Sequence, residues 1–123
     1  MKKTGKDGAS RPFSFPDVML DLPPVIGHRG AAASAPENTL AGFRAAAAAG
    51  ARWVEFDVRL SRDGMPVVIH DAALRRTTGA GGEVETMTAE ELARLDAGAW
   101  FHRRFKGERI PTLARSEEHT SEL

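Results

Sequence analysis

Residues 53–71, WVEFDVRLSRDGMPVVIHD, decide the fold class of this chain. Apolar and charged residues alternate from Trp53 to Leu60, which predicts a single strand with one apolar face. The residues expected on that face are Val54, Phe56, Val58 and Leu60. Asp63-Gly64 is a turn signal, and Pro66–Ile69 has the composition of a second short strand. The stretch therefore predicts two strands joined by a tight turn.

The residues before this stretch predict a strand and a helix. Val25–Gly27 is a short apolar run that ends in glycine, which is typical of a buried strand. Asn38 or Thr39 can cap a helix that continues to about Ala49, with Gly50 as its stop signal. The order strand, helix, strand is typical of a parallel sheet covered by helices, so we predict an α/β fold.

The residues after the stretch predict a helical excursion. A glycine-rich loop is expected over Ala73–Gly82. Thr88 and Glu91 have the spacing of a capping box and should open a helix that ends near Leu95. Ile110–Leu113 is expected to lead into another helix. The sequence thus predicts the beginning of a series of strand–helix units.

Composition and charge exclude several classes of protein. The chain has 123 residues, no cysteine, and 17 basic and 17 acidic residues, for a net charge of +0. Disulfides and thiolate metal sites are excluded, and the neutral charge argues against a nucleic-acid-binding protein. No run approaches the roughly 18 apolar residues of a membrane span. The basic start lacks the apolar core of a signal peptide, so we expect a cytoplasmic protein with a flexible basic leader over residues 1–24.

Glu55 and Asp57 are the first candidates for chemistry. Two residues apart on a strand, both carboxylates would project from the same face about 7 Å apart. Two such carboxylates can share a divalent cation, whereas the alternative is an ordinary solvated strand face. A strand of an α/β fold is covered on both faces, where unpaired carboxylates would be costly without a metal or an arginine partner.

Two histidines are expected where strands end. His28 and Arg29 follow the first strand, and His70 and Asp71 follow the strand after the turn. Ligands bind at the carboxyl ends of strands in α/β folds, where arginine can bind phosphate and histidine can move a proton. Together with the two carboxylates, these residues suit hydrolysis or transfer at a phosphate ester. Two other histidines are predicted to be surface residues: His102 and His119.

Four motifs carry a resemblance to a known family. IGHRG (26–30), PENT (36–39), EFDV (55–58) and DGMPVVIHD (63–71) resemble, in order and spacing, the opening of the glycerophosphodiester phosphodiesterases. The resemblance covers residues 24–113. It implies a TIM (β/α)8 barrel of the phosphodiesterase and phospholipase C-like type. A TIM barrel takes about 250 residues, so this chain would supply about two barrel strands and the family's insertion segment.

The resemblance also implies an activity and roles for individual residues. The reaction would be hydrolysis of a small-molecule glycerophosphodiester to glycerol 3-phosphate and an alcohol, with Ca²⁺ or Mg²⁺ as cofactor. The family's third metal carboxylate lies on a later strand, so the chain alone is expected to be inactive. The implied roles are metal binding by Glu55 and Asp57, acid–base catalysis by His28 and His70, phosphate contact by Arg29, and a place at the edge of the site for Glu37 and Asn38.

The last residues depart from the family pattern. Residues 115–123, RSEEHTSEL, read like the translation of a short-read sequencing adapter, so we predict a non-native tail after a family segment over 25–114. The alternative is a polar helical terminus.

Two other functions stay open from the sequence. One is a related barrel enzyme, a phosphatidylinositol-specific phospholipase or a sphingomyelinase D-type enzyme. The other is a non-catalytic fragment that binds a phosphorylated ligand. The sequence does not indicate an oligomeric state.

Overall fold

The computed structural model describes residues 2–3 and 26–120. Apart from residues 2–3, the predicted leader lies outside this range. The strands are β1 Lys2–Lys3, β2 Ile26–His28, β3 Trp53–Glu55, β4 Val58–Leu60 and β5 Pro66–Val68. The α-helices are α1 Leu40–Ala48, α2 Arg75–Thr78, α3 Ala89–Leu92 and α4 Leu113–Thr120, and there are 3₁₀ turns at Val84–Thr86 and Arg103–Phe105.

The parallel pair β2–β3 is the centre of the architecture. Gly27 lies opposite Val54 and His28 lies opposite Glu55, while β1 pairs antiparallel with the other edge of β3. Helix α1 connects β2 and β3, which confirms the predicted strand–helix–strand unit. Because the two strands run in the same direction, their carboxyl ends lie at one edge of the sheet.

Helix α1 begins and ends where local chemistry predicts. The Thr39 hydroxyl accepts a hydrogen bond from Gly42 N at 3.1 Å and caps the first turn. Gly50 follows the helix with φ +91°, a conformation that glycine adopts without strain. Phe43 and Ala46 are buried in a core with Val54 of β3, and Phe43 meets Phe56, the residue after β3, edge-on at 5.8 Å.

The prediction of one continuous strand over 53–60 is wrong. The chain leaves the parallel sheet after Glu55, and β4 pairs antiparallel with β5 in a second sheet. Asp57 sits in the break, and its carbonyl accepts from Ile69 N at 3.0 Å. Val58 and Leu60 are 45% and 58% exposed, so the apolar face extends only over Val54 and Phe56. The alternation continues across the break, so it does not mark the change of sheet.

The hairpin that follows agrees with the prediction and separates two cores. Gly64 has φ +78° in the turn, and β5 ends at Val68, one residue earlier than expected. Neighbouring residues of β5 point to opposite faces. Val68 packs with the core around Phe43, and Val67 packs with a second core formed by Ile69, Leu74, Val84, Leu92, Ala97 and Ile110.

The helical excursion differs from the prediction in two places. The region predicted as a loop contains the short helix α2, which ends at Gly79 in the left-handed conformation. The capping box of Thr88 and Glu91 is present, but α3 ends at Leu92 instead of Leu95. The Asp96 carboxylate accepts hydrogen bonds from Gly98 N and Gly107 N. These bonds stabilise a loop at the position where the prediction expected a further helical turn.

Helix α4 follows the predicted lead-in and packs on α1 and β5. It includes the first residues of the stretch predicted to be a non-native tail, and that prediction stands untested. Ser116 is fully buried, and in the described part of the chain its hydroxyl has no hydrogen-bond partner. No helix among the described residues has the length and apolar character needed to cross a bilayer.

Ser116→Ala is expected to stabilise the chain. The substitution removes a buried hydroxyl that has no partner and adds a residue with a higher helix propensity, so the free energy of unfolding should rise by about 1 kcal/mol. Urea denaturation measures the change. The control is Ser34→Ala, because the exposed Ser34 hydroxyl donates to Ala31 O and its loss should change stability by less than about 0.5 kcal/mol. If Ser116→Ala lowered the free energy of unfolding, the hydroxyl would be favourable at this position and the prediction would be wrong.

Candidate active site

The carboxyl ends of β2 and β3 bring the first two candidate side chains together. His28 and Glu55 are opposite one another in the parallel register, and His28 Nδ1 lies 3.8 Å from Glu55 Oε2. Their side chains are 66% and 40% exposed. The parallel sheet therefore places a histidine and a carboxylate at one edge with room for a ligand.

The loop after β2 has an unusual backbone. Arg29 and Asn38 are the non-glycine residues with positive φ in the described part of the chain, at +53° and +54°. Asn38 N donates to Arg29 O at 2.8 Å, so the two strained residues are directly joined. Backbone strain of this kind persists only where the surroundings fix it, and it concentrates at functional sites. Sequence reasoning missed this feature because neither residue is a glycine.

Gly30 allows this loop to lie against α1, and Gly30→Ala should destabilise the chain by about 3 kcal/mol. Gly30 has φ +83°, and an added Cβ would lie 2.8 Å from Gly42 C and 2.9 Å from Gly42 O. Backbone strain and overpacking each cost about 1–3 kcal/mol. Gly64→Ala is the matched control in thermal or urea unfolding, because Gly64 has φ +78° but open space around it. Equal losses for the two variants would contradict the close approach.

Asp57 is held by the loop instead of lying beside Glu55 on a strand. Asn38 Nδ2 donates to Asp57 Oδ2 at 3.1 Å. Arg29 Nε lies 3.6 Å from the same oxygen, which is an ion pair but too long for a hydrogen bond. Arg29 Nε and Asn38 Oδ1 are both buried and have no hydrogen-bond partner among the described residues. Unmet polar groups of this kind beside a carboxylate indicate a place for a further polar group or ion.

Glu37 lies, with its side chain largely buried, at the centre of an ion-pair cluster. Its side chain is 9% exposed, and its two carboxylate oxygens accept from Arg76 Nη1 and Nη2, each at 2.8 Å. Arg29 Nη1 donates to Glu37 Oε2 at 3.2 Å. The hydrogen bonds from Arg76 are the main cause that holds the pKa of Glu37 below its usual range. Glu37 is therefore an ionised carboxylate shared by two arginines.

His70 and Asp71 are joined to the same cluster. His70 Nδ1 and Asp71 Oδ1 are 2.7 Å apart. Arg76 donates to Asp71 through Nε at 2.9 Å and Nη2 at 3.1 Å. These bonds from Arg76, followed by the bond from His70, hold the pKa of Asp71 far below its usual range. Asp71 is therefore an acceptor for the imidazole.

The structure joins the predicted residues into two groups. One is the pair His28–Glu55. The other is a continuous chain of contacts through Asn38, Asp57, Arg29, Glu37, Arg76, Asp71 and His70. Sequence reasoning missed Arg76, although a cation five residues after Asp71 in a region predicted as a loop was a usable signal. His102 is exposed as predicted, and its Nδ1 accepts from Arg104 N. The side chain of His119 lies outside the described part.

Glu55 and Asp57 suit a hard divalent cation in their donor chemistry. Both are half-exposed carboxylates, and within the described residues Glu55 Oε1 and Asp57 Oδ1 make no hydrogen bond. The buried, unpartnered Asn38 Oδ1 lies beside Asp57. No group of three potential ligand side chains occurs among residues 2–3 and 26–120. The described residues thus offer part of an oxygen-ligand site and not a complete one.

Comparisons with known proteins agree on one family. The model of the glycerophosphoryl diester phosphodiesterase family matches residues 28–121. A glycerophosphodiester phosphodiesterase from Caldanaerobacter subterraneus subsp. tengcongensis is 52% identical over 89 residues, 72% of this chain and 37% of that protein. Glycerophosphodiester phosphodiesterase 1 from Homo sapiens is 44% identical over 91 residues, 72% of this chain and 28% of that protein.

Solved structures give the same result. A phosphodiesterase from Oleispira antarctica, in complex with the product sn-glycerol-3-phosphate, is 46% identical with a TM-score of 0.80, and the match covers 85% of this chain and 42% of that one. A glycerophosphodiester phosphodiesterase from Agrobacterium tumefaciens is 47% identical with a TM-score of 0.77, over 80% of this chain and 42% of that one. The chain spans about two fifths of the solved structures that it matches. The predicted α/β barrel class is confirmed.

Proposed function

This chain belongs to the glycerophosphoryl diester phosphodiesterase family. We propose that the polar side chains described above form one part of an active site that hydrolyses glycerophosphodiesters to glycerol 3-phosphate and an alcohol. The observation that carries the proposal is the joining of the candidate residues into two groups. His28 lies against Glu55 at the ends of β2 and β3, and one chain of contacts connects Asp57 and Arg29 to His70 after β5. The solved relative with sn-glycerol-3-phosphate as product supports the choice of substrate class.

The polar side chains divide the work of hydrolysis. Arg29 offers its guanidinium to a phosphate oxygen, which suits the fixed charge and planar fork of arginine. In this proposal His70 donates a hydrogen bond through Nδ1–H to the Asp71 carboxylate, so its Nε2 is the nitrogen that exchanges a proton with the substrate or with water. His28 is the second acid–base group. Water adds across the phosphorus–oxygen bond, so one histidine takes a proton from water and the other protonates the leaving alcohol.

Glu55 and Asp57 would hold the divalent cation, Ca²⁺ or Mg²⁺, that the family's chemistry requires. When bound, such a cation neutralises phosphate charge and favours formation of a nucleophile. Asn38 fixes one oxygen of Asp57 by donating to it, which leaves the other oxygen for the cation. The remaining ligand would come from a part of the barrel that this chain does not include, so the chain alone should not turn over substrate.

The partner in this proposal is a small phosphodiester, and the proposed place of action is the cytoplasm. The related phospholipase and sphingomyelinase D-type functions gain no support, because the relatives described above carry phosphodiesterase names. The remaining possible function is a non-catalytic fragment that binds a phosphorylated ligand. A turnover experiment distinguishes it from the proposal, because such a fragment would bind substrate without hydrolysing it.

A chimera tests the proposal by its product. Residues 26–112 of this chain replace the matched segment of the Caldanaerobacter enzyme, and glycerophosphocholine is supplied with Ca²⁺ or Mg²⁺. The proposal predicts glycerol 3-phosphate and choline, with activity lost in a chelator and restored by metal. Release of phosphocholine and glycerol, or binding without turnover, would contradict it.

A further inference from the structure

We propose that Arg76 is a positioning residue of this site, which orients His70 through Asp71 and Arg29 through Glu37. The role rests on the proposed function, since it concerns the groups expected to move the proton and to bind the phosphate. Arg76 lies in α2, outside the motifs that define the site in sequence. It would act on the reaction only through its two carboxylate partners.

The geometry of Arg76 is that of a clamp on two carboxylates. Four hydrogen bonds of 2.8–3.1 Å join its three nitrogens to Glu37 and Asp71. The guanidinium fork alone provides donors in the two directions that these carboxylates require, and a lysine ammonium could not reproduce both contacts. Glu37 precedes α1 and Asp71 follows β5, so Arg76 ties the ends of two different elements together.

Trp100 holds the clamp from a third side. The Arg76 guanidinium carbon lies 5.8 Å from the centre of the Trp100 ring. Trp100 is itself fixed, because its indole Nε1 donates to Ala97 O at 3.0 Å. A cation stacked on an aromatic face loses some of its freedom to leave its carboxylate partners. Arg76 therefore has a fixed orientation although it lies near the surface.

The consequence for His70 is a defined proton position. Asp71 is ionised and can only accept, so the imidazole nitrogen 2.7 Å away must be the donor. The Nδ1–H form then leaves Nε2 free for the reaction, and a carboxylate that orients a histidine in this way is a common device in metal and catalytic sites. If Arg76 is lost, Asp71 can rotate away and this tautomer loses its support.

The consequence for Arg29 follows from the shared glutamate. Glu37 Oε2 accepts from both Arg76 Nη2 and Arg29 Nη1. Two hydrogen bonds from Arg76 fix the orientation of the Glu37 carboxylate. Glu37 Oε2 is therefore held in one place, where it accepts from Arg29 Nη1. Without Arg76, Glu37 is left with a single bond from Arg29. Arg76 thus connects the proposed phosphate contact and the proposed acid–base group in one network.

Nitrogen NMR of the 123-residue chain tests the proposal directly. The ring ¹⁵N shifts of His70 report which nitrogen carries the proton in the neutral form. His102 is an internal control, because its Nδ1 accepts from Arg104 N and its proton must therefore be on Nε2. We expect opposite tautomers for the two histidines in the unsubstituted chain. A His70 proton on Nε2 in that chain would overturn the proposal without any variant.

Arg76→Gln and Arg76→Lys then test the role of the clamp. In both we expect the ratio of Nδ1–H to Nε2–H forms of His70 to fall about tenfold, with His102 unchanged. Arg75→Gln is the matched control, since it removes the same charge from the same helix, and within the described residues the Arg75 side chain makes no ion pair. It should leave both tautomers unchanged. An unaltered His70 in a folded Arg76→Lys variant would overturn the proposal.

The readout needs no turnover, so the two proposals can fail separately. If the chimera hydrolyses nothing but the tautomers respond to Arg76 as expected, the positioning role stands and the proposed reaction fails. If the chimera is active and Arg76→Lys leaves both the tautomer of His70 and kcat unchanged, the reaction stands and the positioning role fails.

Discussion

His70→Gln in the chimera is expected to lower kcat by about 10²–10⁴-fold, the usual contribution of a general acid or base. KM should change little, because glutamine keeps a polar group of similar reach at the end of β5. The loss of kcat is expected because His70 carries an ionisable ring that Asp71 holds in one orientation, and glutamine has no such group. Steady-state kinetics with glycerophosphocholine measures the loss.

The control for this prediction is His102→Gln. His102 is exposed and its ring caps the turn at Arg103–Phe105 instead of facing the site. We expect kcat to stay within about twofold. If His70→Gln kept most of the activity, or if both substitutions lowered kcat equally, His70 would not be an acid–base group of this reaction.

Glu37→Gln is expected to lower the free energy of unfolding of the 123-residue chain by about 2 kcal/mol at neutral pH, between the values typical of exposed and of fully buried ion pairs. Removing one partner of a buried ion pair is costly because the remaining charges are left without compensation. The Glu37 side chain is 9% exposed and is the anion that Arg29 and Arg76 share, so a neutral amide would leave Arg29 with Asp57 and Arg76 with Asp71 as their remaining carboxylate partners. Urea denaturation measures the loss.

The pH dependence of this effect has a defined sign. The folded-state pKa of Glu37 lies below the ordinary value of 4.5, so its contribution is fully present above that value. It is lost as the pH falls through the lower, folded-state pKa. The difference between the unsubstituted chain and Glu37→Gln should therefore shrink below about pH 4.5.

Glu83→Gln is the matched control, because Glu83 is exposed and its side chain makes no ion pair among the described residues. We expect a change of less than about 0.5 kcal/mol. A loss of under 1 kcal/mol for Glu37→Gln, or a loss that does not depend on pH, would contradict the buried ion-pair cluster.

Local signals predicted the fold well wherever a single residue type fixes the backbone. Thr39 caps α1, Gly50 follows it, and Thr88 with Glu91 opens α3, all by hydrogen bonds or backbone angles within a few residues. The break between β3 and β4 was not predictable in this way. Val54 to Leu60 alternates throughout, and only the partners of each half, which are distant in sequence, differ.

In the candidate site, too, some contacts could be predicted from the sequence and others could not. The end positions of β2 and β3 follow from a parallel sheet, so His28 and Glu55 could be placed together from the sequence. The contacts of Arg76 could not, because its partner Glu37 is 39 residues away and the pairing depends on tertiary structure. The positive φ of Arg29 likewise depends on the surrounding loop, because arginine has no intrinsic preference for this backbone conformation that the sequence could reveal.

The most direct test of the central claim is the kcat/KM of the chimera for glycerophosphocholine, measured beside the unmodified Caldanaerobacter enzyme with the same metal. If residues 26–112 supply the acid–base, phosphate and metal side chains as proposed, the chimera should keep kcat/KM within about tenfold of its parent, a difference of about 1.4 kcal/mol in transition-state stabilisation. A folded chimera that has lost more than about a thousandfold would contradict the account.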